Sequence, residues 1–170
     1  MRRKPVRTAV LALALISVAS VLAGCSIGPA EPSSTPSGAA AVLFDRSGLS
    51  RASFGSPNGN IGCGFSAGTA TDAAGTVRCE IIVKDWTPPP KPVSCAEKWG
   101  GGVTLDTKAA VLCAGGTVRG DPGAVTLPYG GAIRFAPFTC SSDRTGIDCV
   151  NTATGAGFMI GHERYQLRNP

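Results

Sequence analysis

Few side chains in this 170-residue sequence could carry catalytic chemistry. His162 is the single histidine, it precedes Glu163 in a predicted turn, and no Gly-x-Ser-x-Gly nucleophile motif accompanies it. A hydrolytic acid–base pair needs two convergent carboxylates, one of them with a raised pKa. The candidates occupy mainly predicted turns and the outward positions of strands, where water keeps them ionised: Glu80, Asp85, Asp106, Asp121, Asp143, Asp148 and Glu163. We therefore predict no catalytic residues and a protein that is not an enzyme.

The cysteines and glycines also lack the spacing of known binding motifs. No Cys-x-x-Cys or Cys-x-x-His pair is present, so no zinc site is expected. The glycine-rich runs 59–64 and 155–157 lack the Lys-Ser/Thr ending of a phosphate loop. Asp143 and Asp148 do not match a calcium loop. We predict neither a metal nor a cofactor.

Six of the seven cysteines form a regular set that predicts disulfides. An even number of cysteines in an exported domain favours three bridges, and fifteen pairings remain open. Nearest-neighbour pairing is preferred because each bridge would then close a short loop. The paired residues would be Cys63–Cys79, Cys95–Cys113 and Cys140–Cys149.

An apolar residue stands two positions before each of these cysteines. Side chains two apart on a strand share a face, so each cysteine is expected to face the core with its neighbour. The neighbours are Ile61, Val77, Val93, Val111, Phe138 and Ile147. Short strands at intervals of about ten residues, separated by glycine-rich turns, predict an all-β fold, a small disulfide-bonded antiparallel sandwich or barrel.

Individual elements follow from local signals. Asn58-Gly59 predicts a hairpin, Thr76–Val83 a strand, and Cys95–Trp99 one helical turn. The prolines at 88–92 predict a rigid extended connector between that strand and Cys95. A second hairpin is expected from Val103–Leu105 and Ala109–Cys113, and further strands from Val125–Tyr129, Ala132–Cys140, Gly146–Val150, Gly157–Ile160 and Arg164–Leu167.

The seventh cysteine belongs to an export signal. A basic head at residues 1–8 precedes a short apolar run, which is typical of a secretory leader. Leu22-Ala23-Gly24-Cys25 resembles the lipobox of bacterial lipoproteins. That resemblance implies cleavage after residue 24, lipidation of Cys25 by acyl chains such as palmitate, and a location on the extracytoplasmic face of the cell membrane. Two or three acyl chains anchor a protein stably.

Composition divides the remainder of the chain in two. Residues 25–49 read as the lipidated cysteine and a flexible tether, with Ala41–Phe44 as its last turn or an edge contact. Residues 50–170 suffice for a single domain, which we expect to be monomeric. Four of the sixteen Lys and Arg residues lie in the leader, so the rest of the chain is nearly neutral and no nucleic-acid partner is expected.

Several motifs together resemble a family of actinobacterial exported proteins and lipoproteins of unknown function. They are Ser56-Pro57-Asn58-Gly59-Asn60-Ile61-Gly62-Cys63, Val77-Arg78-Cys79-Glu80-Ile81, Leu127-Pro128-Tyr129-Gly130, Gly146-Ile147-Asp148-Cys149-x-Asn151 and Thr154-Gly155-x-Gly157-Phe158. This chain has Ala156 where members typically have His, and Gly161-His162 where they tend to have Ser-Arg. The resemblance implies a disulfide-bonded domain at the cell envelope and brings no activity.

Three functions remain open at this stage. The first is a non-catalytic domain that binds an envelope protein or a cell-wall component. The second, by analogy of fold alone, is an inhibitor of wall-degrading enzymes such as lysozyme, with the loop Ser141–Arg144 as its contact. The third is a wall hydrolase that uses the carboxylates named above.

Overall fold

Twelve β-strands and no helix make up the part of the chain that the structure, a computed structural model, describes: residues 41–69 and 75–170. The predicted leader, the lipidation of Cys25 and most of the tether lie outside this part. Within it, no helix is long and apolar enough to cross a membrane. In chain order the strands are β1 Ala41–Asp45, β2 Arg51–Gly55, β3 Ile61–Ser66, β4 Thr76–Ile81, β5 Trp99–Leu105, β6 Ala109–Cys113, β7 Val125–Thr126, β8 Gly131–Phe135, β9 Phe138–Asp143, β10 Gly146–Asn151, β11 Gly157–Ile160 and β12 Tyr165–Arg168.

The strands form two six-stranded sheets. Sheet A has the order β1-β8-β9-β10-β11-β12, and sheet B has the order β6-β5-β4-β3-β2-β7. The all-β prediction is confirmed, with the sandwich as the architecture. The sheets are mixed and not purely antiparallel, because β1 pairs parallel with β8 and β7 pairs parallel with β2. Both parallel pairs lie at sheet edges.

One apolar core lies between the sheets, and strand alternation supplies it. In β3, Ile61, Cys63 and Phe65 are buried while the residues between them are less so. Phe65 crosses to sheet A, where its ring stacks on Phe135 at 5.0 Å and lies 6.4 Å from Phe138. Buried aromatic pairs of this kind contribute about 0.5–1.5 kcal/mol each beyond the area that they bury.

The six cysteines are joined in the nearest-neighbour order. Cys63 stands directly opposite Cys79, and Cys140 directly opposite Cys149, so each of these two bridges lies inside one sheet and faces the core. The alternation rule holds for these four cysteines. It is wrong for the third bridge. Cys95 is buried but Val93 is fully exposed, because the proline-rich connector keeps this segment out of any strand, and Cys113 is exposed at the end of the edge strand β6 although Val111 is buried.

Some element boundaries differ from the predictions. The predicted strand Ala132–Cys140 is two strands, β8 and β9, because Pro137 lacks an N–H and the chain turns there. The predicted helical turn at Cys95–Trp99 is absent, since Trp99 instead pairs with Cys113 and begins β5. Ala41–Asp45, assigned to the tether with an edge contact as the alternative, is the edge strand β1. The strand at Thr76 ends at Ile81.

Candidate functional site

The outer face of sheet B is lined by small residues over which another segment of the chain lies. We call residues 114–123, which follow β6, the covering segment. A Cβ added to Gly62 would lie 2.7 Å from the Cγ of Arg119, and one added to Gly64 would lie 3.2 Å from a methyl of Val118. The two glycines of β3 therefore leave the space that the covering segment occupies.

Glu80 of β4 holds the covering segment in place. Its carboxylate accepts hydrogen bonds from the Thr117 hydroxyl, from the Val118 N–H at 3.1 Å and from the Arg119 Nε at 3.4 Å. Arg78, two residues earlier on the same outward face, forms an ion pair with it. Glu80 was expected to be solvated on this outward face, and that expectation is wrong, because the covering segment leaves it only 6% exposed.

The contacts of Glu80 decide its charge. Burial alone would raise the pKa of its carboxyl, but the hydrogen bonds from Thr117 and Val118, the positive charge of Arg78 and the bond from Arg119 outweigh burial. The pKa of Glu80 therefore lies below its ordinary value of 4.5. The group is an anion at neutral pH.

This lowered pKa predicts a pH-dependent contribution to stability. A carboxylate whose pKa is lower in the folded state stabilises the fold fully above its unfolded pKa, and the contribution is lost as the pH falls through the folded value. The difference in free energy of unfolding between the wild type and Glu80→Gln should therefore shrink as the pH drops below about 4.5. Urea unfolding from about pH 7 to about pH 3 measures it. A difference that grows toward acid would contradict the assignment.

Arg78 and Asp121 complete the attachment of the covering segment. Arg78 donates to the carbonyl oxygens of Gly115 at 3.2 Å and Gly116 at 3.1 Å. Asp121 accepts from the Ser53 hydroxyl at 2.7 Å and from the Gly123 N–H at 2.8 Å, and these two bonds lower the pKa of its carboxyl. The segment is thus bound to β2 and β4 along its length.

A groove of about 570 Å³ lies between the covering segment and strands β2–β4. Three arginines border it: Arg51, Arg78 and Arg119. Its other polar side chains are the carboxylate of Asp121 and the hydroxyls of Ser53, Ser66, Thr76 and Thr117. Arg78 and Arg119 are engaged by Glu80, whereas the exposed Arg51 has no side-chain partner among the described residues. With Glu80 and Asp121 counted against the three arginines, the groove carries a small positive charge. It is chemically suited to a polar ligand that bears an anionic group.

A family model described as a family of unknown function (DUF6636) matches residues 9–168. The chain belongs to this family. No curated protein and no solved structure matches the chain. For this member of the family, the groove therefore has to be judged on its own chemistry.

The fit of the covering segment can be tested at Gly62. Gly62→Ala is expected to cost about 1–2 kcal/mol in free energy of unfolding, because the new methyl group meets Arg119 and overpacks the contact. The amide of Val118, which bonds to Glu80, should exchange with solvent faster. Gly101→Ala is the matched control, since a Cβ there meets nothing within 4 Å. Equal effects of the two substitutions would show that the segment does not lie on β3.

The other residues singled out from the sequence lie elsewhere. The Nδ1 of His162 lies 3.4 Å from an oxygen of Asp85, and both side chains are exposed. In the proposed inhibitory loop, Ser142 is only 2% exposed, since it lies on the inward face of β9, and Arg144 and Thr145 form the tip of a tight turn. The expectation of a protruding loop over Ser141–Arg144 is therefore wrong for its serines. The inhibitor function itself stays a prediction.

The remaining candidate carboxylates have local partners. Asp148 forms two hydrogen bonds of 2.8 Å with the guanidinium of Arg168. Asp106 and Asp143 accept from backbone N–H groups within their own turns. Glu163 is exposed. In residues 41–69 and 75–170, no group of three or more His, Cys, Asp or Glu side chains could hold a metal ion.

Sequence reasoning missed the groove, although one signal for it is present. Gly62 stands opposite Glu80, and Gly64 stands opposite Arg78, on the outward face of neighbouring strands. Two glycines beside an alternating Arg and Glu leave a channel where a strand face would otherwise carry side chains. That pattern indicates that another segment of the chain lies on the outer face of sheet B, but it does not indicate which segment.

Proposed function

We propose that this chain is an exported lipoprotein, of the kind found in actinobacteria, that is anchored through Cys25 to the extracytoplasmic face of the cell membrane. Its β-domain binds an anionic cell-wall component in the groove and performs no chemistry on it. The observation that carries the binding assignment is Arg51, which has no side-chain partner in residues 41–69 and 75–170 and which borders a preformed, arginine-lined groove.

The proposed location at the membrane is supported by the sequence at both ends of the leader and by the disulfides. A basic head, an apolar run and the Leu-Ala-Gly-Cys sequence precede the domain. Three disulfides within about a hundred residues suit an oxidising compartment outside the cytoplasm. A protein so placed has the cell wall as its nearest polymer.

The lining of the groove favours a wall component over a partner protein. Protein–protein contacts centre on buried aromatic anchors, and among the described residues no exposed aromatic side chain lines this groove. Guanidinium and hydroxyl groups instead suit a hydroxyl-rich polymer that carries carboxylates or phosphates. A volume of about 570 Å³ accommodates a unit or two of such a polymer.

The two carboxylates near the groove support binding without catalysis. A glycoside hydrolase needs one carboxyl group with a raised pKa to protonate the leaving group. Glu80 and Asp121 both have lowered pKa values, and hydrogen bonds from neighbouring groups occupy both. Each of them therefore acts as a structural anion that positions the covering segment.

Binding to purified cell walls tests this function. The full-length protein is mixed with insoluble walls before and after their anionic polymers are removed, and the bound fraction is measured by sedimentation. We expect Arg51→Gln to weaken binding about tenfold, because one lost hydrogen bond to a charged group costs about 1.5 kcal/mol or more. Binding should also weaken as salt concentration rises.

Lys108→Gln is the matched control for Arg51→Gln. It removes one positive charge from an exposed turn on β5–β6, away from the groove lining, and should leave the affinity unchanged. Equal losses for the two variants would mean that overall charge, and not the groove, binds the wall. Undiminished binding to walls stripped of anionic polymers would overturn the proposed ligand.

A further inference from the structure

One end of the sandwich is where the chain enters from the predicted anchor. Ala41, the first residue of β1, pairs with Gly131 at the start of β8. Strand register places the β9–β10 turn and the β11–β12 turn at this same end. In sheet B, the segment that follows β4 lies at this end too, because the Asp85 N–H donates to the carbonyl of His162 in the β11–β12 turn at 2.9 Å. We call this the β1 end.

The β1 end carries three exposed apolar side chains. Ile82 and Val83 are each 57% exposed, and Tyr129 is 38% exposed. Ile82 and Val83 border one shallow hollow and Tyr129 borders the next, and the two hollows share His162 and Asn60. The three side chains therefore belong to one surface.

Hydrogen bonds from Asn60 hold the backbone of Ile82 and Val83 in place. The side-chain amide of Asn60 donates to the carbonyl of Val83 at 2.9 Å and accepts from the Val83 N–H at 2.8 Å. The N–H of Ile82 donates to the carbonyl of Asn60. Beside the pair, the Lys84 ammonium lies 3.9 Å from the centroid of the Trp86 ring and donates to the Trp86 carbonyl. Two aliphatic side chains are thus fixed in an outward position.

The length of chain before β1 limits how far this end lies from the anchor. Residues 26–40 separate Cys25 from Ala41, and a chain of that length spans at most about 50 Å. A domain whose apolar end is tethered so close to a bilayer meets that bilayer at a high effective concentration. Weak apolar contacts are then sufficient to orient it.

We infer that the β1 end rests on the lipid bilayer, with Ile82 and Val83 entering the headgroup boundary and Tyr129 at its level. This inference depends on the anchor at Cys25 in the proposed function. Three cations at this end, Lys84, Arg144 and Arg164, are balanced by Asp85, Asp143 and Glu163. Apolar contact therefore drives the docking, and anionic lipids are not required for it.

Docking by this end leaves the groove accessible. Arg51 begins β2 and lies opposite Ser66, whereas Gly55, at the other end of that strand, lies opposite Gly62 next to the β2–β3 turn. The groove lining at Arg51, Ser66 and Thr76 is therefore at the far end of sheet B from the bilayer. The two surfaces can be occupied at once, with the membrane on one side and the wall on the other.

Hydroxyl-radical footprinting of the full-length lipidated protein on phosphatidylcholine vesicles tests the orientation. The reference is Cys25→Ser, which cannot carry the lipid, in the presence of the same vesicles. Oxidation of Ile82, Val83 and Tyr129 should fall several-fold in the lipidated protein. Leu49, which is 51% exposed in the turn between β1 and β2 at the opposite end, should be oxidised equally in both.

Two variants separate orientation from anchoring. Ile82→Ser/Val83→Ser should still float with vesicles through the lipid, but Tyr129 should lose its protection. Leu49→Ser should retain that protection. If Tyr129 remains protected in the double variant, the apolar pair does not orient the domain and the inference is overturned.

The remaining outcomes are distinguishable. Failure of the wild-type protein to float with vesicles would overturn the anchor in the proposed function. Flotation with Ile82, Val83 and Tyr129 as reactive as in the reference would overturn the orientation alone and leave this end free for a protein partner. Protection that appears without vesicles as protein concentration rises would show that a second copy covers this end, which also overturns it.

Discussion

Glu80→Gln is expected to lower the free energy of unfolding by about 3 kcal/mol. The substitution removes the charge that balances Arg78 and Arg119 beneath the covering segment. It also replaces an acceptor of three hydrogen bonds with an amide that presents a donor on one side. Breaking this ion pair on one side is costly because Arg78, whose side chain is only 19% exposed, keeps its charge without its partner.

Urea unfolding at neutral pH measures this loss, and Glu163→Gln provides the control. Glu163 is exposed, so the same chemical change there should alter the free energy of unfolding by no more than about 0.5 kcal/mol. Amide exchange should additionally show faster opening of residues 117–119 in Glu80→Gln alone. A loss below about 1 kcal/mol would mean that the covering segment is not fixed by this carboxylate.

Cys63→Ala/Cys79→Ala is expected to cost about 3–4 kcal/mol. The bridge spans 16 residues, and closing a loop of that size contributes roughly 3 kcal/mol in the chain-entropy model. Both cysteines are fully buried between the sheets, so their removal also leaves unfilled space in the core. The two terms add because they act on different states, the first on the unfolded chain and the second on the folded one.

Cys95→Ala/Cys113→Ala is the informative comparison. That bridge spans 18 residues, so its entropic contribution is similar, but Cys113 is exposed and Cys95, although buried, lies outside the core cluster, so little core volume is lost. Its cost should be smaller than that of the Cys63–Cys79 pair when both are measured by urea unfolding under non-reducing conditions. A larger cost for the Cys95–Cys113 bridge would show that the position of the Cys63–Cys79 bridge in the core does not add to its stabilisation.

The parts of the fold that sequence predicts well are those set by neighbouring residues. Alternation around Cys63, Cys79, Cys140 and Cys149 gave inward faces that the structure bears out, and Asn58-Gly59 gave the first hairpin, with Gly59 at φ 69°. The same rule fails at Cys95, where the prolines before it prevent a strand, and at Cys113, which is exposed at the end of the edge strand β6. Local pattern thus predicts the inward face of strands that are paired on both sides.

The parallel pairings and the groove depend on distant segments. Strand β1 finds β8 about ninety residues later, and β7 returns beside β2, and neither partner choice has a local signal. The burial of Glu80 likewise comes from residues 117–119, which belong to no strand. A carboxylate on an outward position is solvated by default, and only the covering segment changes that.

We propose above that the groove between the covering segment and sheet B binds the anionic wall component. Nuclear magnetic resonance titration of the full-length ¹⁵N-labelled Cys25→Ser protein with soluble anionic wall fragments tests it most directly. Amide shifts should concentrate at Arg51, Ser53, Arg78 and residues 117–121, and Arg51→Gln should raise the fragment concentration that produces them about tenfold. Shifts centred on the Asp143–Gly146 turn or on the β1 end, with the groove amides unmoved, would contradict it.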